Sequence, residues 1–315
     1  MIKLAIVSPC YNEEEVLEDS AKRVSQLYDE LIASQQISKD SFILYVNDGS
    51  KDKTWEIIKK LHQENPYIYG LGLAGNVGHQ KAIMSGMMKV KDMCDAAITM
   101  DADIQDDLNA IPEMIKKFEE GNEVVYGVKV SRTADPFMKR FSAQCFYKLQ
   151  SMMGVKALYN HADFRLMSAK ALNYLSEYPE RNLYLRGMIP QMGLKSATVD
   201  DVISPRKAGS SKYTLSKMLG LAFDGITSFS IRPMAYIIGL GLISLLISFI
   251  MVIHVLWAWL IGETVAGWPE MMISVWFLGS AIIISIGMVG EYVGKIYTET
   301  KHRPLYFEDD FLGKG

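Results

Sequence analysis

Four aspartates lie within seven residues in the stretch MDADIQDD, directly after the apolar run AAIT. If the chain stays extended, Asp101 and Asp103 point to the same side, because side chains alternate along a strand. With the amide oxygen of Gln105 they form a set of hard oxygen donors, which suit Mg²⁺ or Mn²⁺. So few protein ligands indicate that substrate phosphate supplies others, as a pyrophosphate would. The alternative is a solvated acidic loop in which Asp106 or Asp107 caps the next helix.

Three further polar segments, CYN, NDGS and NVGH, follow the strand-like runs LAIVSP, FILYV and IYGLGLA. Ligands of α/β proteins bind beyond the carboxyl ends of parallel strands, so we expect these segments to meet the aspartates. Gly49 permits a tight turn, and Asp52 is a candidate helix cap. Gly78 and His79 open a helix whose N-terminus could face an anion, with Lys81 nearby. A structural hydrogen bond explains His79 equally well.

The elements that would position these loops follow from the pattern of residues 1–205. Apolar strand-like runs alternate with helix-like stretches such as WEIIKKLHQE and IPEMIKKFEEG. This alternation, with nearly continuous apolar strands, is typical of an α/β fold with a mostly parallel sheet. We therefore predict one α/β domain over this range.

Composition argues against several classes of protein. The chain has 33 Lys and Arg against 36 Asp and Glu, a net charge of −3, which argues against nucleic-acid binding. Cys10, Cys94 and Cys145 are far apart and form no C-x-x-C, so we expect neither a disulfide framework nor a zinc site. The N-terminal apolar run lacks the features of a signal peptide and is interpreted as a first strand.

Two C-terminal stretches, Met234 to Ile261 and Met271 to Gly290, contain no charged residue. Roughly 20 apolar residues in a helix cross a bilayer, so we predict two transmembrane helices over residues 232–297. A pair of buried helices in a soluble core is the alternative. Lys and Arg flank both stretches and are absent from the link GETVAGWPE. The positive-inside rule then places the catalytic domain, both termini and a tail at residues 298–315 on the cytoplasmic side of the cell membrane. Residues 206–231 would form a flexible basic loop and an interfacial amphipathic helix.

The segments SPCYNEE, VNDGSKDKT, GNVGHQKAIMSGM and MDADIQDD, in this order and spacing, resemble the inverting family-2 glycosyltransferases of the GT-A fold. With HADFRLM, YLRGM, RKAGSSKY and the two C-terminal helices, the chain is similar to the polyprenyl-phosphate glycosyltransferases over nearly its whole length. The resemblance implies a Rossmann-like GT-A domain. It also implies inverting transfer of a sugar, glucose as first choice, from a UDP-sugar to polyprenyl (undecaprenyl) phosphate, with Mg²⁺ or Mn²⁺.

The resemblance also assigns residues to the sugar donor. The nucleotide base and ribose would meet the first loop, and Asp48 would accept a hydrogen bond from the nucleotide. The metal ligands by family match are Asp103 and Gln105, with Asp101 supporting them. The full set of donor residues implied is Pro9, Tyr11, Asn12, Glu13, Asp48, Lys81, Asp101, Ala102 and Asp103.

The acceptor phosphate would be largely ionised near neutral pH, so it needs binding groups more than a strong base. Arg pairs with phosphate bidentately, which makes Arg132, Arg165 and Arg186 candidates. The basic segment could close over the phosphates as a lid, or could instead be attracted to anionic membrane lipid. Its implied phosphate-binding residues are Arg206, Ser211 and Lys212.

Asp163 in HADFRLM corresponds to an acidic residue that the resemblance suggests as a base or an organiser of the acceptor site. A salt bridge to Arg165 is an equally good interpretation. Together with Asp101, these two residues form the predicted catalytic set.

Other functions remain open from the sequence. The sugar could be N-acetylglucosamine or mannose. A processive polysaccharide synthase would carry a Q-x-x-R-W motif and more membrane helices, and neither is found here. A non-catalytic membrane scaffold conflicts with the intact acidic motifs. Glycines within the two apolar stretches permit close helix packing, and the resemblance makes a homo-oligomer plausible.

Overall fold

The computed structural model of the chain describes residues 1–129, 161–202, 232–262 and 267–313. Four predicted phosphate-binding residues lie outside the described residues. They are Arg132, Arg206, Ser211 and Lys212.

Eight described strands form one sheet in the order β7-β5-β6-β4-β1-β2-β3-β8. Their bounds are β1 Leu4–Cys10, β2 Phe42–Asn47, β3 Ile68–Leu73, β4 Ala96–Thr99, β5 Val124–Lys129, β6 His161–Ser168, β7 Ser196–Asp201 and β8 Glu308–Leu312.

The sheet is mixed and mostly parallel. β1 pairs in parallel with β2 and β4, β2 with β3, and β5 with β7. β6 is antiparallel to both β4 and β5, and β8 is antiparallel to β3. The carboxyl ends of β1 to β4 therefore meet at one edge of the sheet, where the amino end of β6 joins them.

Eight helices are described. Their bounds are α1 Leu17–Ala33, α2 Thr54–Glu64, α3 His79–Val90, α4 Ala110–Glu119, α5 Ala169–Ser176, α6 Leu185–Gln191, α7 Arg232–Leu260 and α8 Trp268–Thr300.

Side chains alternate along each strand, so every strand contributes side chains to both faces of the sheet, and both faces are buried. In β1, Leu4 and Ile6 pack in one apolar cluster with α1, α2 and α4. Ala5 and Val7 pack in the opposite cluster with α3, α5 and α6. The predicted α/β fold with a mostly parallel sheet is thus confirmed for the described residues; helices cover both faces, and the loops converge on the carboxyl edge.

Helix α3 lies unusually close to the sheet at Gly86. A Cβ atom added there would overlap Val7 Cγ1 and would lie 2.8 Å from Val46 Cγ2. Only glycine leaves room for this approach. Because α3 starts at His79, the contact also sets where the N-terminus of the helix meets the loops at the sheet edge.

The C-terminal segment predicted as a tail joins the sheet. Helix α8 continues to Thr300, and β8 then pairs with β3 as an edge strand. The Ala74 N–H donates to the Phe307 carbonyl at 3.0 Å, and Leu305 and Tyr306 pack against the second apolar cluster. The chain beyond the last apolar helix is therefore part of the catalytic fold.

Helices α7 and α8 correspond to the two apolar stretches, and most of their described apolar side chains are exposed. Within the described residues, one stretch, Phe277–Thr300, is long and apolar enough to cross a membrane by length and composition. This finding supports one membrane helix in α8. The predicted second span in α7 stays a proposal.

We predict that Gly86→Ala lowers the free energy of unfolding by about 1–3 kcal/mol, because the added methyl group overpacks the contact of α3 with the sheet. The melting temperature of the detergent-solubilised protein measures this. Gly294→Ala in α8 is the matched helical control, since nothing lies within 4 Å of its added Cβ. Equal melting temperatures for Gly86→Ala and the parent chain would contradict the packing argument.

Candidate active site

The loops after β1 and β2 are joined by reciprocal hydrogen bonds. The Asn12 N–H donates to Ser50 Oγ at 3.0 Å, and the Lys51 N–H donates to Asn12 Oδ1 at 2.8 Å. The Glu13 N–H donates to Thr54 Oγ1 at 2.9 Å. Asn12 adopts a left-handed backbone conformation, with φ of 56°, which Asn tolerates better than most residues. The two loops therefore form one rigid unit.

The predicted nucleotide-binding residues of the first loop lie on this unit. Pro9 is the second-last residue of β1, and the Tyr11 ring is exposed just beyond the carboxyl end of this strand. The Asn12 and Glu13 backbones are held by the second loop, as described above. Of this group, Tyr11 is the residue whose planar ring is open to solvent.

Asp48 holds the loop after β3. Its carboxylate accepts hydrogen bonds from the Val77 N–H at 2.7 Å, the Gly78 N–H at 3.0 Å and Asn76 Nδ2 at 3.1 Å. Burial raises the pKa of Asp48, although the two N–H groups oppose the shift. Asp48 therefore holds the two backbone N–H groups that directly precede α3, and the prediction that the N-terminus of this helix faces a ligand anion stays a prediction.

Gly49 makes this arrangement possible. Its φ of +62° lies in the left-handed region, and an added Cβ would lie 2.5 Å from the Asn76 backbone nitrogen. The second and third loops thus touch through backbone atoms.

His79 lies between two acidic residues, Asp101 in the loop after β4 and Asp163 in β6. Its Nε2 is 3.7 Å from Asp101 Oδ1 and 3.5 Å from Asp163 Oδ2. Burial lowers the pKa of His79, but the two carboxylates outweigh burial and raise the pKa above its usual value. Lys81, two residues further along α3, is partly buried.

Asp163 is the centre of a buried charge cluster. One oxygen pairs with Arg165 Nη2, and Arg186 binds both oxygens, with Nη2 2.9 Å from Oδ2 and Nε 3.3 Å from Oδ1. Burial raises the pKa of Asp163, but Arg186, His79 and Arg165 overcome this effect and hold the pKa well below its usual value. Asp163 is therefore ionised at neutral pH.

The two arginines of the cluster differ in exposure. Arg165 is 1% exposed and lies on the interior side of Asp163, whereas the Arg186 side chain is 34% exposed. The salt bridge between Asp163 and Arg165, one of the two interpretations of the sequence, is present. Arg165 stabilises the carboxylate from inside, and Arg186 is the guanidinium of the pair that reaches solvent.

Gln80 also belongs to this cluster, although it was not among the residues predicted for the site. Its Nε2 donates to Asp163 Oδ2 at 3.4 Å, and its Oε1 accepts the Leu185 N–H at 3.1 Å. It thereby connects α3, β6 and the start of α6. The position of Gln80 directly after His79, at the start of the predicted helix, was the sequence feature that could have indicated a role in the site.

The acidic loop after β4 carries the predicted metal ligands. Asp101 is half-exposed, and Gln105 Nε2 donates to Asp103 Oδ2 at 2.7 Å. Between them, Ile104 has φ of 43°, so the loop is a turn and not an extended strand. Ala102, a predicted donor residue, has its side chain buried in the first apolar cluster.

The other end of this loop is anchored to β7. The Asp107 N–H donates to Asp201 Oδ1 at 2.9 Å, and Asp107 Oδ1 accepts the Asn109 N–H at the start of α4. Burial, with the nearby charges of Asp101 and Asp201, raises the pKa of Asp106 to about 8. Asn109 is the N-cap of α4 and makes no side-chain cap hydrogen bond, so Asp107 forms a turn just before the helix and the helix-capping interpretation is not confirmed.

Hard oxygen donors are the fitting ligands for Mg²⁺ or Mn²⁺, and Asp101, Asp103 and Gln105 supply them from one turn. Within the described ranges, no group of three or more His, Cys, Asp or Glu side chains is placed to hold a metal ion. The donor set fits a cation that takes most of its ligands from water and a diphosphate.

Comparison with known proteins defines the class. Residues 5–175 match the family model of Glycosyl transferase family 2, so more than half of the chain is covered. The chain belongs to glycosyltransferase family 2 and has the GT-A fold of that family.

Two relatives are similar over nearly the whole chain. The uncharacterized glycosyltransferase YkoT of Bacillus subtilis (strain 168) is 47% identical over 306 residues, 97% of this chain and 91% of the relative. The bactoprenol glucosyl transferase of Shigella phage SfV is 36% identical over 310 residues, 97% of each chain. The chain is thus a glycosyltransferase related to the bactoprenol glucosyl transferases.

Among solved structures, glucosyl-3-phosphoglycerate synthase from Mycobacterium tuberculosis is similar with a TM-score of 0.49 and 15% identity. The similarity covers 72% of this chain and 78% of that chain.

We predict that Asp48→Ala frees the amides of Val77 and Gly78, because a buried acceptor for both is lost. The cost is about 1–3 kcal/mol of local stability. Hydrogen exchange at these two amides should accelerate, while exchange in β1 stays unchanged. Asp92→Ala, at an exposed side chain, is the control. Unchanged protection of both amides would contradict the assigned role of Asp48.

Proposed function

We propose that the enzyme transfers glucose from UDP-glucose to polyprenyl phosphate at the cytoplasmic face of the cell membrane, with inversion and with Mg²⁺ or Mn²⁺. The observation that carries this proposal is the arrangement around His79. Its ring bridges Asp101 of the acidic loop and Asp163, which holds Arg186. Groups suited to a diphosphate and a group suited to a second phosphate therefore lie side by side.

The proposed donor site is the edge formed by the first, second and fourth loops. Tyr11 would supply a flat wall for the nucleotide base. Asp101, Asp103 and Gln105 would hold the metal ion, and a divalent cation held there would neutralise charge on the departing diphosphate. Because Asp48 binds the third loop, we propose that it acts on the nucleotide by fixing that loop.

The proposed acceptor site is Arg186 with the ionised Asp163 behind it. The guanidinium of Arg186 has five N–H donors in a planar fork, so it can bind a phosphate while it remains paired with Asp163. Asp163 is a poor proton acceptor because its pKa is held low. An acceptor phosphate that is already ionised needs no strong base, so Asp163 acts as an organiser. Arg165 keeps Asp163 charged.

The membrane placement belongs to the same proposal. We assign residues 1–205, together with the C-terminal strand β8, to the catalytic domain, 206–231 to a basic loop and interfacial helix, and 232–297 to two membrane helices with both chain termini cytoplasmic. The apolar surface of α7 and α8 and the relatives named bactoprenol glucosyl transferase support this assignment. Sharing one membrane with a lipid acceptor raises its effective concentration at the site.

A transfer assay tests the proposal. Detergent-solubilised protein is incubated with polyprenyl phosphate and labelled UDP-glucose, UDP-N-acetylglucosamine or GDP-mannose in separate reactions. We expect a labelled lipid from UDP-glucose, its loss with EDTA, and its recovery with added Mn²⁺ or Mg²⁺. Absence of labelled lipid with every donor would overturn the lipid acceptor, and full activity in EDTA would overturn the metal.

Asp103→Asn in the same assay tests the acidic loop. It should lower the rate by about 10²–10³-fold, the scale for losing one group that stabilises developing charge. Asp107→Asn is the matched control, because this side chain accepts the Asn109 N–H in the turn before α4 and lies outside the proposed ligand set. Similar rates for the two variants would contradict the proposed role of Asp103.

A further inference from the structure

The last turn of α8 is attached to the catalytic domain through Glu299. Its carboxylate accepts the Arg181 N–H, at 2.8 Å to Oε2 and 3.0 Å to Oε1, and the Asn182 N–H at 2.8 Å to Oε1. Two consecutive backbone N–H groups thus converge on one carboxylate. Such an arrangement is a strong, directional, charge-assisted contact.

The position of Glu299 is unfavourable for the helix itself. It lies in the last turn of α8, where the helix dipole disfavours a negative charge and no basic residue compensates within that turn. Glu at this position is explained by its partners in the catalytic domain. The contact therefore stabilises the attachment of α8 to the catalytic domain, not the helix itself.

The segment that Glu299 holds leads directly into the proposed acceptor site. Residues 181–184 precede α6, which carries Arg186 in its first turn. At the far end of the segment, the Leu185 N–H donates to Gln80 Oε1 of α3. The segment is thus held between a membrane helix on one side and the cluster around Asp163 on the other.

Helix α8 also sets the distance between the end of its charge-free stretch and the contact made by Glu299. Glu299 is nine residues beyond Gly290, where the charge-free stretch ends, which corresponds to about 13 Å along a helix. The chain beyond Glu299 is held as well, because β8 pairs with β3 and Lys89 Nζ lies 2.7 Å from Glu308 Oε2. The end of α8 is therefore restrained against the catalytic domain at two points.

We propose that Glu299 is a positioning residue for the acceptor: it fixes the segment before α6, and with it Arg186, at a set height above the bilayer. The inference rests on the proposed function, since it assumes that the acceptor is a membrane lipid phosphate. Glu299 itself touches no substrate. It acts on the reaction through the segment that it holds.

The test uses the full chain in lipid nanodiscs that contain polyprenyl phosphate, with Glu299→Ala and Glu299→Gln. Glu299→Ala should raise the KM for polyprenyl phosphate by about tenfold, the scale of one hydrogen bond to a charged group, and leave the KM for the nucleotide sugar unchanged. Glu299→Gln should restore part of the loss, because its amide oxygen still accepts. Glu291→Ala, which removes an ion pair with Lys295 in the same helix, is the control and should match the parent chain.

Hydrogen exchange at the amides of Arg181 and Asn182 is measured on the same samples and should be faster in Glu299→Ala. An unchanged acceptor KM, or an equal rise in both KM values, would overturn the positioning role. Amides that stay protected in Glu299→Ala would overturn the contact itself. A parent chain that forms no lipid-linked sugar would overturn the proposed function, while the exchange result would still decide the contact.

Discussion

The carboxylate of Asp163 is buried and ionised, and the site is arranged around that charge. An isolated buried carboxylate is costly, so it must be paired and hydrogen-bonded. Arg165 approaches from the interior, Arg186 from solvent, and His79 and Gln80 from the start of α3. Four partners from three elements thereby fix where one guanidinium meets solvent. Removing the charge would leave two arginines close together without a counter-charge.

The scaffold meets this requirement through close backbone contacts. Gly86 lets α3 approach the sheet, and Gly49 lets the second loop touch the third. Asp48 then fixes the backbone just before α3, which places His79 between the acidic loop and β6. On the membrane side, Glu299 restrains the segment that leads into α6. Precise placement of Arg186 thus depends on contacts both in the sheet core and at the end of α8.

Much of the fold followed from the sequence, because β1 to β5 are apolar runs separated by amphipathic helices. Other strands carried no such pattern. In β6 the charged residues Asp163 and Arg165 interrupt the apolar pattern although both are buried, and β8 is an edge strand with three acidic residues. The acidic motif indicated a site. The hydrogen bonds of Asp48 to Val77 and of Glu299 to Arg181 join residues 29 and 118 positions apart, which no local pattern reports.

A double-mutant cycle on acceptor kinetics tests the central claim that Asp163 acts through Arg186. The KM and kcat for polyprenyl phosphate are measured for Asp163→Asn, Arg186→Gln and the double variant. If the two side chains work as one unit, the double variant loses no more than the worse single variant. If the losses multiply, Asp163 contributes independently of Arg186, as a catalytic base would, and the account is contradicted.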